Sequence, residues 1–257
     1  MTEADAGGLE LSRGLEVRDG LGRFRGGNAS RRRSEVAEAA NVLARLGLVT
    51  AYGHVSARAG QAMLITRAGD LADVTASAVL EVPLTVAPPL PAGVPAEAWV
   101  HLALYRARPD AAAIARAQPV SGFGVAATTT SLVPLHGQAA WLGESIPVHD
   151  SAHLLRSPEL AERAARTLPT GEALLLRGNG AITLGAAPGL AVARMWVLAA
   201  ACEIYLAACG ALGFREIMGT GFGTPYSLTP LSADEIASWR AVGDELLPRL
   251  WQHLRRR

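Results

Sequence analysis

No lysine occurs in this chain of 257 residues, so all 24 of its basic side chains are arginines. A Schiff base with a carbonyl substrate and covalent attachment of pyridoxal phosphate both need a lysine amine, and neither can form on this chain. Cysteine is almost absent as well. Cys202 and Cys209 stand seven apart on an apolar helical pattern and read as buried thiols; no Cys-x-x-Cys or nearby histidine accompanies them to suggest zinc. Neither sign of charge dominates, with 24 basic against 23 acidic residues, which removes the electrostatic case for a nucleic acid or a membrane surface as partner. The longest apolar runs, such as "LAAACEIYLAACGALG", are interrupted by Glu203 and by glycine, and no bilayer-spanning segment is expected. The start, "MTEADAGGLELSRG", is acidic and polar without a signal-peptide core. The expectation is a soluble, cytoplasmic protein.

What is present is apolar residues in quantity, half of the chain, enough for one substantial core and one domain. Residues 1–30 are rich in Gly and Arg and are expected to form a disordered arm, with a single domain over 31–257. Helical spacing begins at Ser34 and runs to Leu46, stopped by Gly47. "LVTAYGHVSARAGQAMLIT" reads as strand, loop, strand, with Ala62–Thr66 the second; Val79–Leu84 is another strand. A Pro-rich loop leads to a helix over Glu97–Arg106 and a buried strand over Asp110–Ala117. "SLVPLHG" and "ESIPVHD" are extended, and Pro158–Leu168 is a helix. "EALLLRGNGAITLG" is a hairpin turning at Gly178-Asn179-Gly180. A helix over Leu190–Leu212 precedes a last one, about 232–254, opened by the capping box of Ser232 and Glu235 and kinked or shortened at Pro248. It carries Ile236, Trp239, Leu246, Leu250 and Trp251 inward. The order implies an α/β fold, a three-layer α/β/α arrangement with a mixed central sheet.

One stretch asks for a chemical reason. "RPDAAAIARAQPVSGFG" is a strand wanting burial that nonetheless delivers Arg116 and Gln118 side by side on one face.

The segments "GHVSAR", "MLITRAG", "PAEAWVHLALYRARPDAAAI" and "ALLLRGNGAITLG" carry an answer. Together, from about Ser34 to Gly213, they resemble the class II aldolase/adducin family. The most specific element is the Glu-x3-His-x3-Tyr-x-x-Arg-Pro-Asp pattern from Glu97 to Asp110. The resemblance implies a tetrameric α/β/α enzyme, with sites at subunit interfaces, holding a divalent metal on three histidines. In such enzymes the metal steadies an enediolate while the helix-opening glutamate shuttles a proton. Carried over by position, the three ligands are Arg116, Gln118 and Asn179 here; a guanidinium is a fixed cation and an amide a poor substitute for imidazole. The family's asparagine in its Gly-Asn-x-Ser turn is His54, with Ser56 following. The hydroxyl before Gly69 is Ala68, beside Arg67, and two further hydroxyls are Pro95 and Ala96. Glu97 alone matches.

The expected site is therefore a metal-free pocket with no cofactor. Glu97, Arg116, Gln118, Asn179 and His136 are candidate catalytic residues, and His54, Ser56, Arg67 and Gly69 candidates for binding a small-molecule substrate. The implied reaction is that of a lyase or isomerase passing through an enolate: C–C cleavage, decarboxylation, dehydration or isomerisation of a small oxo or carboxylated substrate. Two alternatives stay open. One is a non-catalytic adducin-like assembly protein, with Glu97 capping its helix, Arg116 in a structural salt bridge and Asn179 serving its turn. The other is a metal enzyme using displaced histidines, for which His149 and His153 flank Asp150 at helical spacing. "GTGFGTP", Gly219–Pro225, follows a helix and reads as a linker, not as a dinucleotide loop.

Overall fold

Strand β4 (Ala113–Ala117) shows how the layers arise. Its alternate residues Ala113, Ala115 and Ala117 enter one apolar cluster, and Ile114 between them enters another. The period of two divides the residues between the two faces of the sheet. The computed structural model describes residues 25–217 and 227–257. Its sheet has eight strands in the order β3-β2-β1-β4-β8-β7-β6-β5. The others are β1 (His54–Ala59), β2 (Ala62–Ile65), β3 (Leu80–Pro83), β5 (Ser131–Leu132), β6 (Ile146–His149), β7 (Ala173–Leu176) and β8 (Gly180–Gly185). β6 and β7 run parallel and the other described pairs antiparallel, the mixed sheet expected.

One face is covered by α1 (Arg25–Arg45), α3 (Val120–Thr128), α5 (Pro188–Ile217) and α7 (Gly243–Leu254). The other is covered by α2 (Ala98–Ala107), backed by α4 (Pro158–Arg166). Because β4 offers only alanines to α5, that helix sits close, presenting Val192, Met195, Leu198 and Cys202 at helical spacing. α4 starts from Ser157, whose side chain accepts from the Leu160 amide, with Pro158 just inside the helix. Ala161, Ala164 and Ala165 then let it lie close against the buried α2.

Several expectations need correction. α1 reaches back to Arg25, so residues 25–30 are helical; the rest of the supposed arm, and the 219–225 linker, lie outside the described residues. β4 begins at Ala113, because Asp110 is turned aside to pair with Arg108. "SLVPLHG" is a strand only at Ser131–Leu132. α3 has no counterpart in the sequence reading, since "VSGFG" looks like a turn; its Gly124 instead lets α3 approach α5, where an added Cβ would stand 3.1 Å from Leu206. The final helix breaks at Val242, between α6 (Ala233–Ala241) and α7, and Pro248 sits inside α7. The Ser232–Glu235 capping box is present, and Ile236 is buried, but Trp239 remains 39% exposed, set edge-on to Trp141. Pro188–Leu212 of α5, with mean hydropathy 1.8, is long and apolar enough to cross a membrane, against the reading of its interrupted run. Its first half lies on the sheet as a core helix does.

The hairpin of β7 and β8 needs left-handed backbone at Gly178 (φ 65°) and Gly180 (φ 88°), and a Cβ on Gly180 would lie 2.2 Å from the Ala117 carbonyl oxygen. Asn179 between them keeps negative φ. Gly180→Ala should therefore destabilise the fold by about 3 kcal/mol, strain and clash combined. Gly60→Ala, at φ 62° in open space, should lose only about 1 kcal/mol, both read by urea denaturation.

Candidate active site

Arg116 follows Ile114 on the same face of β4, and the pleat aims both toward α2. It is 2% exposed. Its Nη2 stands 2.9 Å from Glu97 Oε2 and donates to the Asn179 side-chain oxygen (2.5 Å) and backbone carbonyl (3.1 Å). Asn179 closes the triangle by donating from Nδ2 to Glu97 Oε1 at 3.2 Å. Glu97 stands at the N-cap of α2 but makes no capping bond; its carboxylate is turned to Arg116 instead. Asn179 has likewise more to do than serve a turn, since the glycines beside it carry the unusual backbone. Arg116 Nη1 is buried and has no partner among the described residues. Burial draws the guanidinium below its ordinary pKa, opposed by the neighbouring Glu97 charge.

A cavity of about 440 Å³ opens over this triangle. Glu97, Arg116, Gln118, Asn179, His54 and Gly69 line it, and Tyr52, Leu154 and Arg156 stand at its rim. His54 lies beside Arg116 because the two are register partners across β1 and β4. Two turns of α2 carry a polar stripe beneath. His101 Nδ1 is 2.7 Å from Ser56 Oγ, which is 2.8 Å from the Tyr105 hydroxyl, and the Tyr105 ring lies under the Arg58 guanidinium. The His54 and His101 ring centroids are 5.6 Å apart. Burial first, then the positive charge of Arg116, brings His101 down to a pKa of about 3. Burial, His101 and Arg116 hold His54 well below its ordinary value.

Three expected residues fall elsewhere. His136 precedes the 3-10 turn Gly137–Leu142, packed by α6, and is absent from the cavity wall, because the extended segment ends too soon to carry it there. Arg67 is exposed beside Gly93. Ser56 is fully buried and lies behind the cavity wall with His101 and Tyr105, which it bonds. Conversely, Arg156 lines the cavity, and His101 and Tyr105 lie behind its wall with Ser56, although sequence reasoning missed all three as site residues. The i, i+4, i+8 spacing of Glu97, His101 and Tyr105 is a readable sign that all three face one way.

The divalent ion that the fold implies does not fit these residues. At the position that the resemblance gives it stands a guanidinium whose Nη2 already bonds both Glu97 and Asn179, and a second cation there would be repelled at contact distance. The displaced histidines do not assemble either. His149 bonds Thr167, His153 bonds Ser151, and Asp150 pairs with Arg177. Among the described residues no three metal-binding side chains gather.

Comparison with known proteins gives the family to which this fold belongs. A family model for the Class II Aldolase and Adducin N-terminal domain matches residues 34–206. The chain belongs to the class II aldolase and adducin family. An L-fuculose-1-phosphate aldolase from Thermus thermophilus superposes with a TM-score of 0.64 at 28% identity, over 75% of this chain and 98% of that one. An aldolase II superfamily protein from Pseudomonas syringae gives 0.70 at 24% identity, over 89% and 92%. Rattus norvegicus alpha-adducin is 31% identical over 115 residues, which is 44% of this chain and 16% of the adducin. The match thus spans about a sixth of the adducin's length.

Two measurements follow from the buried charges. Glu97→Leu alone strands the Arg116 cation and should destabilise the protein by about 3–5 kcal/mol, whereas adding Arg116→Met should recover most of that loss; a double-mutant cycle by chemical denaturation reads the coupling. The second concerns acid. The unfolded chain protonates its histidines near 6.5, while folded His101 stays neutral down to about 3, so below 6.5 the unfolded state binds the extra proton. Stability should fall on acidification by about 1.4 kcal/mol per pH unit for each such histidine. His101→Gln should flatten the slope between roughly pH 6 and pH 4 by one proton's worth.

Proposed function

We propose that this chain is a lyase or isomerase that forms an enolate from a small oxo or carboxylated substrate without a divalent ion. The observation carrying the reading is Nη1 of Arg116, buried beside the cavity that Arg116 lines and without a partner among the described residues, while Nη2 is engaged. An orphaned guanidinium donor is costly and fits an anionic oxygen. The N-terminal end of α2 and Arg156 add positive potential to the same cavity. Gln118 lines the wall and supplies an amide to a second oxygen.

In this mechanism a carbon–carbon bond beside the carbonyl breaks. Its electron pair enters the new C=C bond of the enolate, and the carbonyl π pair moves onto the oxygen facing Arg116 Nη1. Glu97 holds the guanidinium; with both oxygens engaged it anchors and does not shuttle. A site without a free carboxylate base favours decarboxylation of a β-keto acid, because carbon dioxide departs without prior loss of a proton and the enolate is then protonated by water. Loss of the metal's several kcal/mol of stabilisation points to the same intrinsically easier substrates. The reading includes a homo-tetramer in the cytoplasm, with the exposed rim residues Tyr52 and Leu154 meeting a neighbouring subunit.

The second reading, a non-catalytic adducin-like assembly protein, is favoured by the closed Arg116–Glu97–Asn179 triangle, which serves equally as infill. Oxalate, the planar mimic of enolpyruvate, separates the two. Calorimetry should find oxalate binding that survives dialysis against EDTA and is lost in Arg116→Gln. Oxaloacetate decarboxylation, followed in EDTA, should slow in that variant by roughly 100-fold or more, the effect of removing one oxyanion donor. Wild-type protein that neither binds oxalate nor speeds decarboxylation would leave the adducin-like reading. Activity restored only by zinc or manganese would overturn metal independence.

A further inference from the structure

The polar stripe beneath the cavity has a direction. Tyr105 is buried, and its hydroxyl, kept protonated by burial, has one neighbour, Ser56 Oγ. Ser56 in turn touches His101 Nδ1. Of the two head-to-tail ways to orient these bonds, one has His101 donating to Ser56 and Ser56 to Tyr105, which strands the Tyr105 hydrogen in the core; letting His101 and Tyr105 both donate to Ser56 strands the Ser56 hydrogen instead. The other has Tyr105 donating to Ser56 and Ser56 to His101 Nδ1, and moves the one unplaced hydrogen to His101 Nε2, which has the His54 ring beside it. His101 then carries its proton on Nε2, a buried atom with no partner. The neighbouring ring offers a buried, unpartnered atom of its own, His54 Nδ1. A donor and an acceptor left over on adjacent rings complement one another, directly after a small ring movement or through one water. His54 Nδ1 as acceptor puts the His54 proton on Nε2. Among the described residues Nε2 has no partner either, and it is not among the buried orphans. It belongs to a residue lining the cavity.

We propose that His54 is a catalytic hydrogen-bond donor: a neutral imidazole whose Nε2–H meets the substrate oxygen on which charge develops, with its tautomer set by Tyr105, Ser56 and His101. The inference rests on the anion-site reading above and gives that site its second donor, beside Arg116 Nη1. Neutrality suits the role. The groups facing His54 are His101 and Glu97 from α2, Arg116 from β4, and Ser56 on its own strand, and the guanidinium and burial both disfavour an imidazolium. A neutral imidazole of this kind polarises a carbonyl without having to lose a proton first. His101 and Ser56 act through His54 and are positioning residues.

Nitrogen-15 NMR of the histidine-labelled protein, with oxalate as probe, tests this. From about pH 5 to pH 8 the His54 ring should stay neutral in the Nε2–H form, and oxalate should move its Nε2 proton downfield. His54→Leu should slow oxaloacetate decarboxylation in EDTA by about 100-fold, and His54→Gln, which keeps an N–H donor, should recover to within roughly tenfold of wild type. Ser56→Ala should leave the fold intact and mix the two His54 tautomers. An Nδ1–H form, titration near the ordinary histidine value of about 6.5, full rate in His54→Leu, or oxalate that binds without moving the Nε2 resonance overturns this inference and leaves the anion site standing. Oxalate that does not bind overturns both together.

Discussion

The ion pair between Arg116 and Glu97 is the constraint around which the site is organised. A buried cation and a buried carboxylate are each costly alone, and each makes the other tolerable only with good geometry and further hydrogen bonds. Asn179 supplies those bonds to both, tying the tip of the β7–β8 hairpin to the start of α2 and the end of β4. The cavity floor is thereby rigid, with three elements from distant parts of the chain meeting at one point. What is left over is a single guanidinium nitrogen with no partner among the described residues.

The packing of the sheet explains why such a charged centre can be carried so deep. β4 shows α5 nothing larger than alanine, and α4 meets α2 through alanines. Helices on both faces therefore come close, and the strands between them are shielded from water on each side. In that setting the His54, His101 and Tyr105 side chains acquire unusual proton affinities, and Ser56 joins the last two.

Much of this is legible in the residues, and the failures have physical causes. The alternation of β4, the Ser232 cap and the Glu97–Asp110 pattern announce the layers and the family, and Arg116 with Gln118 announces a changed pocket. The placement of His136 fails because an extended run of "SLVPLHG" fixes neither where pairing stops nor which way the chain leaves the sheet. α3 is hidden because glycine at a close helix contact looks, in sequence, like glycine in a turn. Pro248 misplaces the break because one absent amide bond is tolerated in α7, whereas the Val242–Gly243 step is where the chain turns under Trp141. For Glu97, sequence shows that a carboxylate is present but not that both its oxygens are engaged.

The closed triangle also limits the routes by which such a site can change over generations. Substituting Arg116 first abandons Glu97 in the interior, and substituting Glu97 first abandons Arg116, so neither single step is neutral even though replacing both together is mild. Asn179, bonded to each, makes the third step depend on the other two. Descendants of this chain are held to the triangle by epistasis: replacing all three residues would have to pass through intermediates that fold less well than either end point.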